Sequence, residues 1–343
     1  MKLIRTEDAV GHVLCHDMTQ IIRGVTKDAV FRKGHVVREE DIPVLLSIGK
    51  EHLYVWEKDE SMLHEDEAAK VLYEISAGEH MHSSETKEGK IELIADMDGL
   101  LKVDRELMRA VNGFGQMMIA SRHGNTPVKS GDKLAGTRII PLVIEKEKMA
   151  AVRDLAGDRR IFHILPYRLH TAGIIATGSE VQKGRIEDTF TPVVVDKLAE
   201  YGIKTLQTVT PGDDTDVITA NILQMADAGL DLIICTGGMS VDPDDRTPLA
   251  IRNAGTQIIT YGAPVLPGAM FLLSYLNKNG RKIPVLGLPG CVMYAKRTIF
   301  DLMLPRIAAG DEITADEIAA LGEGGLCLGC PVCTWPNCGF GKA

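Results

Sequence analysis

Three short glycine-containing segments could each bring backbone N–H groups close to an anion. Each follows an apolar, strand-like run, and they are Thr177-Gly178-Ser179-Glu180, Thr236-Gly237-Gly238-Met239-Ser240 and Leu288-Pro289-Gly290-Cys291. Because glycine has no side chain, the backbone can approach a ligand closely, and the N–H groups of a following helix can face a phosphate. One such turn usually only ends a strand, but three at one edge of a sheet would form one concave polar site.

Carboxylates form a second group of candidate residues. Asp188 precedes a helix-like segment, where an acid often caps the helix, and Asp242, Asp244 and Asp245 follow the second glycine turn. Capping, or an acidic loop in water, explains these residues as well as a ligand site does. The alternative is a site for Mg²⁺, which prefers carboxylate oxygens and is often bound beside phosphate.

Four of the seven cysteines lie close together near the end of the sequence, at positions Cys327, Cys330, Cys333 and Cys338. Four thiolates so spaced can bind one tetrahedral Zn²⁺ or an iron–sulfur cluster. The alternative is free thiols on a disordered segment. Because little apolar sequence surrounds the cysteines, we expect a bound metal to order this segment. The sequence therefore predicts a metal-binding segment over 322–343.

The composition excludes several classes of function. The 343 residues include 38 Lys and Arg against 47 Asp and Glu, a net charge of −9, so general binding to nucleic acid is not expected. No apolar run reaches the ~18 residues of a membrane helix. The first residues turn acidic before an apolar core of a signal peptide could form. We therefore expect a cytoplasmic protein with no nucleic-acid or membrane partner.

The elements that would position the glycine turns alternate between strand and helix patterns from about His170 onward. The predicted strands are 171–177, 204–210, 230–235, 257–261 and 283–288, and the predicted helices are 191–201, 213–228, 247–253, 269–277 and 291–308. This alternation predicts an α/β fold with a doubly wound, mostly parallel sheet, in which ligands sit beyond the carboxyl ends of the strands.

The earlier part of the sequence differs in texture. Residues 1–78 are mixed, with a predicted helix at 39–48 and a predicted strand at 53–56, and the polar stretch 79–90 is predicted to be a loop. Residues 91–165 are dominated by short β-type runs. The predicted domains are thus an α+β region at 1–78, a small β-rich domain at 91–165, the α/β domain at 166–312 and the cysteine-rich segment.

The glycine turns, with Gly184-Arg185-Ile186-Glu187-Asp188 between the first two, resemble the molybdopterin-binding domain. MoeA-, MogA- and gephyrin-type molybdenum cofactor proteins share that domain with CinA-like proteins. The resemblance covers about residues 165–310 and implies a three-layer domain that binds molybdopterin or its adenylylated form. The segments 8–14 and 31–34 and the region of Gly49 resemble the N-terminal part of MoeA-like chains. The predicted fold is thus the α/β domain preceded by a smaller β-rich N-terminal region.

The resemblance also assigns roles to individual positions. It implies Mg²⁺-assisted chemistry on the acids Asp188 and Asp245, as catalytic residues. It implies cofactor contacts from the turn residues, namely Thr177, Gly178, Ser179, Glu180, Thr236, Gly237, Gly238, Ser240, Pro289 and Gly290. Three positions depart from the family pattern, because Ser179 replaces an aspartate, Cys291 an asparagine and Val292 a proline. Arg246, Lys296 and Arg297 are candidate charge partners for a phosphate.

Three functions remain open at this point. The first is a molybdenum insertase (a molybdopterin molybdenumtransferase) that takes pterin and molybdate as substrates. The second is a non-catalytic molybdopterin carrier or sensor that delivers cofactor to a recipient molybdoenzyme. The third is a CinA-like nucleotide pyrophosphatase. The resemblance further implies a homo-oligomer.

Overall fold

The computed structural model describes residues 2–22, 24–55, 59–240, 242 and 245–342, with backbone alone at 26 and 27. Two residues from the sequence predictions lie outside these ranges, namely Asp244 beside the second glycine turn and Trp56 at the end of a predicted strand. Over the described part of the chain, no helix is both long and apolar enough to cross a bilayer.

The strands alternate with short helices along the chain. The strands are β1 (Lys2–Arg5), β2 (Met18–Ile22), β3 (Thr26–Phe31), β4 (His52–Val55), β5 (Met62–His64), β6 (Met81–Ser83), β7 (Lys90–Ala95), β8 (Gly99–Val103), β9 (Met117–Ser121), β10 (Thr126–Val128), β11 (Lys133–Ile139), β12 (Val143–Glu145), β13 (Phe162–Leu165), β14 (Thr171–Ala176), β15 (Lys204–Val209), β16 (Leu232–Thr236), β17 (Gln257–Tyr261), β18 (Leu272–Lys278) and β19 (Arg281–Leu288). The helices are α1 (Ile42–Ser47), α2 (Glu65–Ser76), α3 (Arg105–Asn112), α4 (Lys146–Ala156), α5 (Ser179–Gln182), α6 (Phe190–Ala199), α7 (Thr215–Asp227), α8 (Thr247–Asn253), α9 (Ile299–Ala308) and α10 (Ala315–Ala319).

The chain divides into two compact units. The first comprises 1–95, 103–122 and 131–163, and the second comprises 96–102, 123–130 and 164–343. In the first unit β6, β7, β11 and β9 form an antiparallel sheet in that order, and α2 packs on β7 and β11. The hairpin of β2 and β3 and the pair of β1 and β4 are separate ribbons. A small core that includes Leu14, Met18 and Leu45 holds the N-terminal part together.

One short strand of the first unit corrects the sequence analysis. The stretch 79–90 was predicted to be a loop, but β6 pairs there with β7, Met81 opposite Ala95. Met81 is buried, whereas the other two residues of this strand are exposed. A strand of three residues with one buried side chain is too short to show an alternating pattern, which explains the error.

The second unit is built on a mostly parallel sheet whose described strands run in the order β15-β14-β16-β19-β18-β17. The first four strands are parallel, and β18 and β17 are antiparallel to their neighbours. Successive residues of each central strand face opposite sides of the sheet. Ile174 therefore packs with α6 and α9, while Ile175 packs with α7 and α8. The predicted three-layer α/β fold is confirmed.

One predicted helix of this unit is wrong. Where the sequence predicts the helix 269–277, the structure has β18 (Leu272–Lys278), whose first five residues are buried on both faces, so its apolar run carries no period that separates strand from helix. Asn279 and Gly280 lie between β18 and β19 with φ of 52° and 73°, the two-residue turn that joins antiparallel strands. That Asn-Gly pair was the available signal for a hairpin.

The predicted helix 291–308 begins later than expected. A single 3₁₀ turn spans Gly290–Met293, and α9 starts only after Thr298. Thr298 and Asp301 form a capping box at the helix start. The Thr298 backbone N–H donates to the Asp301 carboxylate, and the Phe300 backbone N–H donates to the Thr298 hydroxyl. The intervening residues are thus free of helical geometry, and they become part of the wall of two cavities.

Candidate functional site

The three glycine turns lie at one edge of the second unit's sheet. They follow β14, β16 and β19, which are neighbours in the sheet. The pairing register aligns the last residues of these strands, with Ala176 opposite Thr236 and Thr236 opposite Leu288. Because the strands are parallel and end at the same level, the turns emerge side by side at the carboxyl edge.

A cavity of about 530 Å³ opens between the second and third turns. Of the predicted site residues, those that line it are Gly237, Gly238, Ser240, Asp245, Pro289 and Gly290. Three methionines, Met239, Met270 and Met293, add an apolar wall. The volume lies within the ~300–1,000 Å³ of typical small-molecule sites, and the mixture of backbone, one carboxylate and apolar side chains is typical of them.

The first turn supports the second. The Thr177 backbone N–H and hydroxyl both donate to the Thr236 carbonyl, at 2.8 and 3.0 Å. Gly237 has φ of +81°, and a Cβ at this position would lie 2.5 Å from the Thr177 carbonyl oxygen. Both threonines are buried, at 6% and 2% exposure. Thr177 and Thr236 therefore fix the shape of the second turn, which only glycine at position 237 permits.

The remaining residues of the first turn are not among the described residues that line the cavity. Gly178 has φ of +133°, and the Ser179 backbone N–H donates to Asp213 Oδ2 at 2.8 Å. The Glu180 carboxylate lies over Gly178, where a Cβ would be 3.0 Å from Oε1. The short helix α5 thus begins with its first N–H occupied by a side chain of the chain itself.

Asp188 caps a helix. Its Oδ1 accepts from the backbone N–H groups of Phe190 and Thr191, both at 3.0 Å, and its Oδ2 accepts from the Thr191 hydroxyl at 2.5 Å. These groups belong to the first turn of α6, whose N–H groups need such a partner. Asp188 is not among the described residues that line the cavity. Its two oxygens are occupied in a structural role.

Asp245, in contrast, lines the cavity. Its Oδ2 accepts from the Ser240 backbone N–H at 2.9 Å, which closes the segment after the second turn. Within the described part of the chain, no three His, Cys, Asp or Glu side chains are close enough together to hold one metal ion. A cation at Asp245 would therefore draw its other ligands from a bound phosphate or from water.

Sequence reasoning missed two residues that shape this cavity. Thr247 is buried, and its hydroxyl donates to the Gly237 carbonyl at 2.9 Å while its N–H donates to Gly238. The Tyr261 hydroxyl donates to the Met239 carbonyl at 3.1 Å. Burial, and then the charge of Asp245, raise the pKa of Tyr261. The only sequence signal was the Thr-Pro pair that starts α8, which is typical of helix starts.

Cys291 occupies the place of an asparagine in the resemblance, and it lines the cavity beside Gly290. Burial raises the pKa of its thiol, so the neutral form is favoured. Neither Lys296 nor Arg297 is among the described lining residues of this cavity. The Arg297 guanidinium instead pairs with Asp301 at 2.9 Å and with Glu200 at 3.1 Å. Arg246 precedes α8 and is exposed.

The four C-terminal cysteines line a second cavity, of about 510 Å³. Their segment folds onto the second unit, because Leu326 pairs with Leu266 and the Cys327 N–H donates to the Leu266 carbonyl at 2.8 Å. Phe340 is buried in the core beneath α9. This is more burial than the sequence predicts, because the segment uses an existing core and does not need one of its own.

Two families match parts of this chain. Residues 173–309 match the family described as "Probable molybdopterin binding domain", and residues 3–57 match a domain of unknown function. The first match spans β14 to α9 and contains all three glycine turns. It thus covers the sheet, both helical layers and the first cavity.

Individual relatives are similar over shorter stretches. A CinA-like protein of Mycobacterium avium (strain 104) is 36% identical over 89 residues, which are 26% of this chain and 20% of that protein. A CinA-like protein of Mycobacterium leprae (strain TN) is 41% identical over 76 residues, or 22% and 18% of the two chains. This chain thus spans about a fifth of the length of the curated relatives that it matches.

Solved structures align with part of this chain. The tungsten cofactor synthesizing protein MoaB from Pyrococcus furiosus aligns with a TM-score of 0.35 and 16% identity, covering 42% of this chain and 99% of that one. The molybdopterin biosynthesis Mog protein from Mycobacterium ulcerans aligns with a TM-score of 0.32 and 18% identity, covering 44% and 99%. The resemblance to the molybdopterin-binding family, predicted from the glycine turns, is confirmed by the family match over residues 173–309.

Proposed function

We propose that the first cavity binds molybdopterin or adenylylated molybdopterin and that the protein takes part in molybdenum cofactor biosynthesis. The observation that carries this proposal is the cavity between the turns after β16 and β19, inside the segment that matches the molybdopterin-binding family. A phosphorylated pterin has an anionic phosphate and a flat ring system, whose edges carry polar groups and whose faces can pack against side chains. The glycine turns offer backbone N–H groups for the first, and the methionine wall offers apolar contact for the second.

The shape of the turns supports phosphate binding by backbone. Gly237 and Gly238 both have positive φ, at 81° and 55°, so the chain turns sharply here with bare backbone at the cavity wall. Gly290 begins the 3₁₀ turn after β19, and a Cβ there would meet no atom within 4 Å. Space for a ligand therefore exists next to the backbone of the third turn.

The finer part of the proposal is Mg²⁺-dependent molybdenum insertion. Among the described residues that line the cavity, Asp245 is the one carboxylate, so it is the residue that we propose to hold Mg²⁺ together with ligand phosphate oxygens. When bound, Mg²⁺ would withdraw negative charge from a phosphoanhydride. Asp188, whose oxygens cap α6, enters this proposal as a positioning residue for the loop that leads away from the first turn.

A second candidate function is a non-catalytic carrier or sensor of molybdopterin. The observation that favours it is the occupation of Asp188 by the α6 cap, which leaves Asp245 as the carboxylate of the cavity. A third candidate, a CinA-like nucleotide pyrophosphatase, is supported by the relatives described as CinA-like. All three use the same cavity, and they differ in what happens to the bound phosphoanhydride.

One assay separates the three functions. Purified protein is incubated without oxygen with adenylylated molybdopterin, Mg²⁺ and molybdate, and AMP and pterin-bound molybdenum are measured. Release of both, dependent on Mg²⁺, supports the insertase. Tight binding without AMP release supports the carrier, and hydrolysis of simple nucleotide pyrophosphates without molybdenum incorporation supports the third candidate. Failure to bind any pterin or nucleotide contradicts the proposal as a whole.

Further parts of the proposal concern the tail and the partners. We propose that Cys327, Cys330, Cys333 and Cys338 hold a metal, either Zn²⁺ or an iron–sulfur cluster, because all four line one cavity. A homo-oligomer, a cytoplasmic location and delivery of cofactor to a recipient molybdoenzyme complete the proposal. Light scattering on the purified protein tests the oligomer, and co-purification with a molybdoenzyme tests the delivery.

A further inference from the structure

The second cavity is enclosed by two parts of the second unit. The four cysteines come from the C-terminal segment, and the opposite wall includes Pro267 and the stretch 295–297 that precedes α9. Cys327 and Cys338 are half-buried and pack against the main core, whereas Cys330 and Cys333 are exposed. All four cysteines thus line one space, two of them partly covered by the core and two exposed to solvent.

A single zinc ion does not fit this arrangement. Tetrahedral Zn²⁺ with Zn–S bonds of ~2.3 Å requires its four sulfurs to lie about 3.8 Å from one another. In the ranges that the structure describes, which include all four cysteines, no three potential ligands come together in that way. The four cysteines line a cavity of about 510 Å³, which is far larger than a single ion.

An iron–sulfur cluster requires cysteine sulfurs that are farther apart. Its irons and bridging sulfides occupy a volume of their own, so the four cysteine sulfurs stand apart around the cluster and each binds a different iron. The spacing of the first three cysteines, two residues between each pair, is that of the bacterial ferredoxin run, and the fourth follows after four residues. We infer that this cavity holds one iron–sulfur cluster, of the [4Fe–4S] type, and not zinc.

Two basic residues, Lys296 and Arg297, line the cavity. The Arg297 guanidinium lies 4.7 Å from the centre of the Trp335 ring and is held in place by Asp301 and Glu200. The Lys296 ammonium donates to the Pro331 carbonyl at 2.7 Å, between the second and third cysteines. Positive charge and hydrogen-bond donors around a cluster offset its negative charge and set its reduction potential.

The segment is also anchored at both ends of the cysteine run. At the start, the Leu266 N–H donates to the Gly325 carbonyl and the Cys327 N–H donates to the Leu266 carbonyl, both at 2.8 Å. At the end, the Gly341 N–H donates to the Gly324 carbonyl at 3.0 Å, and Phe340 is buried. The backbone that carries the thiols is therefore held against the domain, and the cluster would enter a site that is largely shaped in advance.

This inference deepens the metal site proposed above and is independent of pterin binding. Full-length protein is purified without oxygen, reduced, and offered iron and sulfide, or zinc, or both. We expect iron and acid-labile sulfide in equal amounts, several per chain, with brown colour and visible absorption that bleaches on reduction. Cys330→Ser and Cys333→Ser should lose the iron and the colour, whereas Cys291→Ser, outside the tail, should keep both.

Each other outcome has a definite meaning. One zinc per chain in colourless protein that takes up no iron overturns the cluster but leaves a metal site. No stoichiometric metal of either kind, with four reactive thiols in the tail, overturns the metal site as well. Loss of metal in Cys291→Ser as much as in the tail variants places the metal elsewhere and also overturns the inference. Thermal unfolding of each variant separates lost ligands from a lost fold, and pterin binding is measured on the same samples as a separate result.

Discussion

Replacing Gly290 with alanine tests whether the ligand approaches the third turn. The new Cβ would meet no atom within 4 Å, and the backbone at this residue does not have positive φ. A glycine-to-alanine change at a compatible position alters the free energy of unfolding by only about 0.4–1 kcal/mol, in the stabilising direction. We therefore expect the variant to unfold at or slightly above the urea concentration of the wild type.

Binding should respond differently. Gly290 lines the first cavity, so the added methyl group takes space that a closely bound phosphate would use. Loss of one hydrogen bond from backbone to a charged group costs about 1.5–3 kcal/mol. At about 1.4 kcal/mol per tenfold, the dissociation constant for molybdopterin should rise about 10- to 100-fold. The assay is calorimetric titration under anaerobic conditions.

Gly136→Ala is the matched control, because a Cβ at Gly136 in β11 also meets no atom within 4 Å and the site is in the other unit. It should bind pterin as the wild type does. If Gly290→Ala keeps the wild-type affinity while folded, the ligand does not approach the third turn and the proposed site is wrong. Equally weakened pterin binding in both variants would also refute the argument, because the effect would then not come from the cavity.

Gly237→Ala should lower the free energy of unfolding by about 2–4 kcal/mol, because the Cβ would lie 2.5 Å from the Thr177 carbonyl oxygen at a φ of +81°, and a thermal midpoint equal to that of the wild type would contradict the geometry of the turn. Asp188→Ala should lower the free energy of unfolding by about 1 kcal/mol through the lost α6 cap, whereas Asp188→Asn should keep the cap and the stability. An Asp188→Asn protein that is stable but inactive would show that the carboxylate also acts in the reaction. Asp245→Asn should reduce Mg²⁺-dependent turnover far more than pterin affinity, and equal losses in both would exclude a role confined to the reaction. Burial, and then the charge of Asp66, raise the pKa of Glu65 to about 7, so the folded state keeps a proton that the unfolded state releases near 4.5. The free energy of unfolding should therefore fall as pH rises between these values, and Glu65→Gln should remove that fall. In urea unfolding at pH 8 the variant should be more stable than the wild type by on the order of 2 kcal/mol, and no such difference is expected if the pKa of Glu65 is normal.

The sequence predicts the parallel half of the sheet well, because there apolar strands alternate with helices of clear period. The prediction fails where the apolar residues show neither the helix nor the strand period. β18 is buried on both faces, so its run of apolar residues looks like a helix until the turn at Asn279 and Gly280 is considered. The start of α9 was placed too early because the capping pair of Thr298 and Asp301 was not weighed against a continuous apolar pattern.

For the site, the sequence identifies the glycine turns but not which of them line the cavity and which support a neighbouring turn. Glycine at positions 237 and 238 signals a close approach, and the structure shows that the nearest neighbour of the first of these is Thr177, within the protein itself. Asp188 and Asp245 look alike in sequence, yet the first caps a helix and the second lines a cavity. Thr247 and Tyr261 become relevant only when distant segments meet, which no local pattern reveals.

The aligned ends of β14, β16 and β19 limit how this domain can change length during evolution. Side chains of each strand alternate between the two cores, as Ile233 and Ile234 do in β16. Loss of one residue within β16 would exchange its two faces and draw the second turn back by about 3.3 Å relative to its neighbours. Insertions and deletions are therefore expected in loops between elements, such as 254–256 between α8 and β17, while the lengths of these three strands stay fixed among relatives.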